Sequence, residues 1–191
     1  MAYIAIDDMR QHLDIESDDD DEALFDAIAD AQSYIEDQTN RRFEANTETR
    51  YYGRDALSPD NSCLLLVDDD LLTVTELLNG DSDSTEIVTA NYWLYPRNET
   101  PYYGILLKTD VSDYWEFDTD YWVEVTGTWG YSATPPGDIK RACKHLAAFF
   151  YRQASSQIFD TTAIPEAGVI TIPTGIPATV ERILSRYRKH L

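Results

Sequence analysis

The side chains able to carry chemistry are three histidines (His12, His145, His190), two cysteines (Cys63, Cys143) and 35 carboxylates in 191 residues. A nucleophile needs a base within hydrogen-bond reach. Cys143 and His145 lie two apart in a helical stretch, where that spacing points side chains away from each other. Cys143 therefore reads as a small core residue. The histidines are scattered along the chain, and neither a phosphate-cradling glycine loop nor a Gly-x-Ser-x-Gly elbow occurs. A calcium loop needs alternating oxygen ligands, a central glycine and a terminal glutamate. The run Asp18-Asp19-Asp20-Asp21-Glu22 does not alternate. Asn79-Gly80-Asp81-Ser82-Asp83 does, but its twelfth position is Ala90, and it reads as a hairpin turn on Asn-Gly. Carboxylate pairs are too common in so acidic a chain to mark an acid–base site. The expectation is a protein that binds, with no catalytic residue, no metal and no cofactor.

Composition bounds the rest. A chain this long makes one ordinary domain, or a domain with an insertion, and buries about 70% of its unfolded surface. No 18-residue apolar run and no basic-then-apolar leader occurs, so neither a membrane span nor secretion is expected. Two thiols without a secretory signal are expected to stay reduced. The sequon Asn98-Glu99-Thr100 is weakened by Pro101.

Charge is unevenly placed. Residues 1–40 carry 13 acids and one base, residues 41–134 carry 18 acids and 6 bases, and residues 135–191 carry 4 acids and 8 bases. The segment charges are −12, −12 and +4, and the whole is −20. Two readings stand side by side. An acidic surface would not hold nucleic acid, because neutralising phosphates with basic groups is what creates nonspecific binding. Alternatively, four lysines against eleven arginines and 35 acids suit a salt-rich, halophilic host. Either reading argues against DNA binding by a basic face.

These residues need elements to position them. Tyr3-Ile4 leads into a short helix ending at His12-Leu13. In a second helix Leu24, Ile28, Ala31 and Ile35 fall on one stripe, with Ser17 or Asp18 as cap and Asp19, Asp20, Asp21 and Glu22 where the helix dipole favours negative charge. Between them and a third helix, six strands are expected at 49–54, 64–67, 72–77, 92–95, 104–108 and 121–126, rich in β-branched and aromatic residues. Thr126-Gly127-Thr128-Trp129-Gly130-Tyr131 should end the last strand, its two glycines serving an abrupt turn. Pro135-Pro136 bars any helix before it. Ile139, Ala142, Cys143, Leu146, Ala147, Phe149 and Phe150 then follow at helical spacing. Thr174-Gly175-Ile176-Pro177 feeds a last helix whose Val180, Ile183, Leu184, Tyr187 and Leu191 form an apolar stripe, with Arg182, Arg186, Arg188 and Lys189 on the other side.

That order, with the second helix ending Asn40-Arg41-Arg42-Phe43 and the Gly127-Thr128-Trp129-Gly130-Tyr131 to Pro136 turn, resembles the head–tail connector (adaptor, head-completion) family of long-tailed phages and archaeal tailed viruses. The family commonly ends that helix Thr-Gly-Arg-x-hydrophobic; Asn40 replaces the glycine, and asparagine tolerates the same left-handed cap. Residues 44–120 match in style only.

The expected architecture is therefore α+β: a small antiparallel helical bundle (residues 1–43 with 135–191) bearing a β-rich insertion at 44–134. Its helical core would contain Leu24, Ile28, Ala31, Ile35, Ile139, Cys143, Leu146 and Phe150. The resemblance implies a virion neck protein, made in the host cytoplasm, forming a ring (a dodecamer) between the portal and a stopper or tail protein. DNA would pass through unbound. It also implies portal docking by Ile176, Val180, Arg182, Ile183, Arg186, Tyr187, Arg188, Lys189 and Leu191, although the last helix could equally pack on its own domain. Asp18, Asp19, Asp20, Asp21 and Glu22 are candidates for ring contacts or the channel lining. The alternative is a carbohydrate- or receptor-binding β module, suggested by the aromatic residues of the insertion.

Overall fold

The computed structural model describes residues 2–156 and 175–189. The protein is α+β, with four α-helices and a six-stranded antiparallel sheet among the described residues. It divides into two compact units, Met1–Arg41 with Pro135–Leu191, and Arg42–Thr134.

In the first unit α1 (Ile6–Leu13) stops at Asp14, whose left-handed backbone (φ 56) ends the helical hydrogen bonding. Helix α2 (Asp21–Thr39) begins later than its acidic run suggests. Asp20 is the cap residue but makes no capping side-chain bond, and the Ser17 hydroxyl instead accepts from the Asp19 amide at 3.4 Å. Asn40 does close the helix in the left-handed region, at φ 51. Helix α3 (Gly137–Ser156) starts directly after the two prolines, with the Lys140 amide donating to the Pro136 carbonyl at 3.0 Å. α2 buries Leu24, Ala27, Ile28, Ala31 and Ile35, and packs against α3, which buries Ile139, Ala142, Cys143, Leu146 and Ala147. The small residues on both faces let the two helices lie close. Phe150 is only half-buried rather than core; its ring meets Tyr34 edge-on at 6.3 Å.

Helix α4 (Ala178–Tyr187) buries Val180, Ile183 and Leu184 and packs on α3 and α2. Burying each such side chain contributes about 1.5–3 kcal/mol. Deleting residues 176–191 should therefore destabilise the helical unit by roughly 5 kcal/mol, read as an early loss of helix signal in a urea titration; an unshifted midpoint would contradict this packing. Complete burial also pushes the Cys143 thiol up to about 12. A thiol reagent should label half-buried Cys63 first and reach Cys143 only on unfolding. Equal rates in the folded protein would refute that difference.

The second unit holds β1 (Asn46–Tyr52), β2 (Leu57–Ser58), β3 (Asn61–Leu78), β4 (Tyr92–Tyr95), β5 (Tyr102–Leu107) and β6 (Val123–Trp129). The sheet order is β1-β6-β3-β5-β4, with β2 paired to β3 off this path. Two expected strands are in fact one. β3 runs through Asp68-Asp69-Asp70, pairing with β5 by its first half and with β6 by its second, with register shifts where it changes partner. The last strand also continues past its expected end: β6 alternates buried and half-buried residues through Trp129. Gly127 sits inside it, opposite Glu48 on one side and Val74 on the other. Gly130, at φ 131, makes the turn.

Asn79-Gly80 is not a two-residue hairpin. The buried Asn79 amide donates to the Tyr114 carbonyl (2.9 Å) and accepts from the Glu116 amide (2.9 Å), tying down residues 114–116. The chain turns further on, where Asp81 accepts from the Thr85 amide at 2.8 Å.

Candidate assembly surfaces

Tandem aspartates are rare inside a strand, so Asp68-Asp69-Asp70 needs an explanation, which β1 provides. Arg50 donates from Nε to Glu48 (2.7 Å), from Nη1 to Asp68 (2.9 Å) and from Nη2 to Asp69 (2.9 Å). Its guanidinium lies 4.6 Å from the Trp129 ring centroid. Arg42 adds bonds to Asp69 (3.0 Å) and Glu48 (3.3 Å), and the Tyr52 hydroxyl donates to Asp68 at 2.7 Å. Burial opposes ionisation here, yet these partners outweigh it. Burial alone would raise Asp69, but the Asp70 amide and Arg42 hold it below the usual carboxylate range. Asp68 and Glu48 are likewise lowered, through Tyr52 and Arg50 in the first case and chiefly Arg50 in the second. Burial would also lower Arg50, but its bonds to Glu48 and Asp68 raise it instead. The network is a structural clamp: it fixes β1 to the middle of β3.

The N-terminal acidic run is partly consumed within its own unit. Asp21 is gripped by Arg10 through two bonds, one of them Nε to Oδ1 at 2.9 Å. Asp20 accepts from the Tyr151 hydroxyl at 3.0 Å. Asp18, Asp19 and Glu22 are exposed.

At the other end of α2, the C-terminal segment satisfies carbonyls that a helix end leaves without partners. Arg188 Nε donates to the Gln38 carbonyl (3.0 Å) and the Lys189 amide to the Thr39 carbonyl (2.8 Å). Arg41 Nε caps α4 at the Tyr187 carbonyl, 2.7 Å away. Arg186 pairs with Asp138 at 2.7 Å. Arg182 is exposed, Ile176 is half-buried, and Leu191 lies outside the described residues.

The family profile described as "HCP: Head completion protein" matches residues 2–190. The chain belongs to the head completion protein family. Solved structures share the fold of this head completion protein. A chain of "Neck of empty GTA particle computed with C6 symmetry" is 21% identical with a TM-score of 0.64, covering 99% of this chain and 91% of that one. A chain of "Neck of native GTA particle computed with C12 symmetry" is 20% identical with a TM-score of 0.61, covering 97% and 88%. A chain of "Virion of native gene transfer agent (GTA) particle" is 21% identical with a TM-score of 0.64, again covering 99% and 91%. No curated protein matches significantly.

Two features of this head completion protein were not legible in its sequence. The Arg42–Arg50 clamp was hidden because single carboxylates carry no information among 35. The second is a histidine pair: His12 and His145 are not scattered in space, since their rings meet edge-on with centroids 5.6 Å apart. Partial burial, then His145, Lys144 and Arg152, lower the His12 pKa. His190 lies outside the described residues. Among the described residues no three His, Cys, Asp or Glu side chains gather as a metal site, and no helix is long and apolar enough to cross a membrane. A sugar platform would need an open aromatic face. On Trp93 that face is taken by Arg97 and Lys108, 3.8 and 3.9 Å from the ring centroid, whereas Tyr114, Tyr121 and Trp122 are exposed.

Proposed function

We propose that this protein is a structural component of a virion neck, where copies form a closed ring joining the portal vertex to the tail or the next neck protein. The ring extends the DNA channel, and its mechanism is binding rather than chemistry. The observation that carries this is the head completion family match over residues 2–190, with a shared fold along 99% of the chain as support. The number of copies is twelve, a reading supported by a solved neck computed with C12 symmetry.

In this reading the helical segments 1–43 and 135–191 form the body and 44–134 an insertion borne by it. Exposed Asp18, Asp19 and Glu22 suit either a channel that phosphates do not grip or a contact with a neighbour. Portal docking falls to residues 176–191. The apolar stripe of α4 is already used inside the protein, so the contact is carried by its outward basic side, Arg182 above all. Charge reversal there should weaken portal capture while leaving the fold intact.

Removing the gene tests the whole proposal. DNA-filled heads and separate tails should accumulate, and adding back the purified protein should join them. Normal tailed particles without this chain would overturn it.

A further inference from the structure

An antiparallel sheet with one face on a core ordinarily shows polar side chains on the other. Across β1 and β6 this holds: Thr47 stands opposite Thr128 and Thr49 opposite Thr126, with the latter hydroxyls 2.8 Å apart. Across β4, β5 and the first half of β3 it fails. Directly opposite residues share a face. Trp93, Leu106 and Leu64 therefore form one outward row, and Tyr95, Gly104 and Leu66 the next. Leu64 leans over Gly104, where a Cβ would come within 2.9 Å of its Cδ1. Trp93 is 40% exposed and carries Arg97 and Lys108 over its ring.

These two cations differ from Arg42 and Arg50 of the same unit, and share with Arg54, which lies over the Phe117 ring, the lack of an ion pair among the described residues. Arg42 and Arg50 are held by carboxylates. Among the described residues Arg97 and Lys108 have no ion pair, although the chain has 35 acids to offer. The Lys108 ammonium donates to the Ala90 carbonyl. An apolar face set with two uncompensated cations calls for an apolar partner bearing acids.

The chain carries such a surface elsewhere. On α2 the side chains of Glu22, Phe25, Asp26 and Ala29 fall on one face by their i, i+3, i+4 and i+7 spacing, and all four are exposed. Phe25 is 56% exposed, although it has no polar atom to offer the solvent. Glu22 and Asp26 have no ion pair among the described residues.

We infer that the α2 face of one copy docks on the outward β3-β5-β4 face of the next. Phe25 packs against Leu64 and Leu106, at the edge of the Trp93 ring whose face the two cations occupy, while Glu22 and Asp26 meet Arg97 and Lys108. This inference rests on the ring reading above and gives that ring its contact. The two patches differ, so the contact is heterologous and propagates from copy to copy until it closes. Aromatic and arginine anchors ringed by charge are the composition of energetic centres in interfaces.

The test uses two full-length variants, Phe25→Asp and Arg97→Glu/Lys108→Glu, changed at exposed Phe25 and Arg97 and half-buried Lys108 and checked for unaltered melting. Sedimentation velocity over rising concentration should show wild-type self-association, and association at least ~10-fold weaker for each variant alone. Mixed, the variants should form one-to-one dimers and stop there, because each supplies the face the other has lost. Variants that associate like wild type, a mixture no better than its components, or a wild type monomeric throughout would each overturn the inference. The ring reading is judged separately, by whether the chain is found in particle necks.

Discussion

Replacing Gly127 with alanine is expected to cost about 3 kcal/mol or more, the upper range for forcing atoms into a packed interior. In a chain of this size that lowers the melting temperature by on the order of 10 °C. The reason is local. A Cβ at position 127 would run into the Thr73 carbonyl oxygen and come within 3.3 Å of the Val74 Cα. Those atoms are backbone, and they belong to the pairing that joins β6 to β3. No side chain can swing away to make room, so the strands must separate. Gly137 is the control: nothing lies within 4 Å of its Cβ position, and alanine there, at the start of α3, should be neutral or stabilising. Equal melting temperatures for Gly127→Ala and Gly137→Ala would refute the close approach.

Arg50→Met should be nearly as damaging, by about 3 kcal/mol at neutral pH, because removing one member of a partly buried ion cluster strands the others. Methionine keeps apolar contact with Trp129 but removes the guanidinium that Glu48, Asp68 and Asp69 share, leaving Arg42 to pair with Glu48 and Asp69. Asp68 is itself mostly exposed, which keeps the figure from the top of the range. Arg50→Lys should recover little, since a point charge cannot fork to three carboxylates.

The pH dependence follows from the directions of the shifts. In the wild type the three carboxylates are lowered from ordinary values of 3.8 for Asp68 and Asp69 and 4.5 for Glu48. Their contribution is fully present above those values and is lost as pH falls through the lowered ones. In Arg50→Met the crowded carboxylates repel at neutral pH and are relieved by protonation. The gap between the two proteins should therefore narrow from pH 7 towards pH 3. A gap constant across that range would show that packing alone matters at position 50.

These two sites also mark where reading the sequence stopped. The helices were legible because one stripe, Leu24, Ile28, Ala31 and Ile35, needs no knowledge of the fold, and Asn40 announces its own cap. Strand ends were not. Gly127 and Asp68-Asp69-Asp70 both read locally as breaks, since glycine and aspartate are poor strand formers. Each is retained for a tertiary reason: a neighbouring backbone that needs the space, and two arginines from other parts of the chain. Asn79-Gly80 misled in the same way, because the amide that suits a turn is spent on Tyr114 and Glu116 instead. The portal-docking stripe on α4 was ambiguous by nature, for an amphipathic helix looks the same whether it covers its own core or another protein's. The outward rows through Trp93 and Tyr95 required the strand register, which no local pattern supplies.

Electron microscopy of intact particles with this chain located is the most direct measurement of the neck assignment. The account predicts a ring of copies between the portal and the tail, its central opening continuous with the DNA channel. Density for this chain elsewhere in the particle, or particles with a complete neck that lack it, would contradict the account.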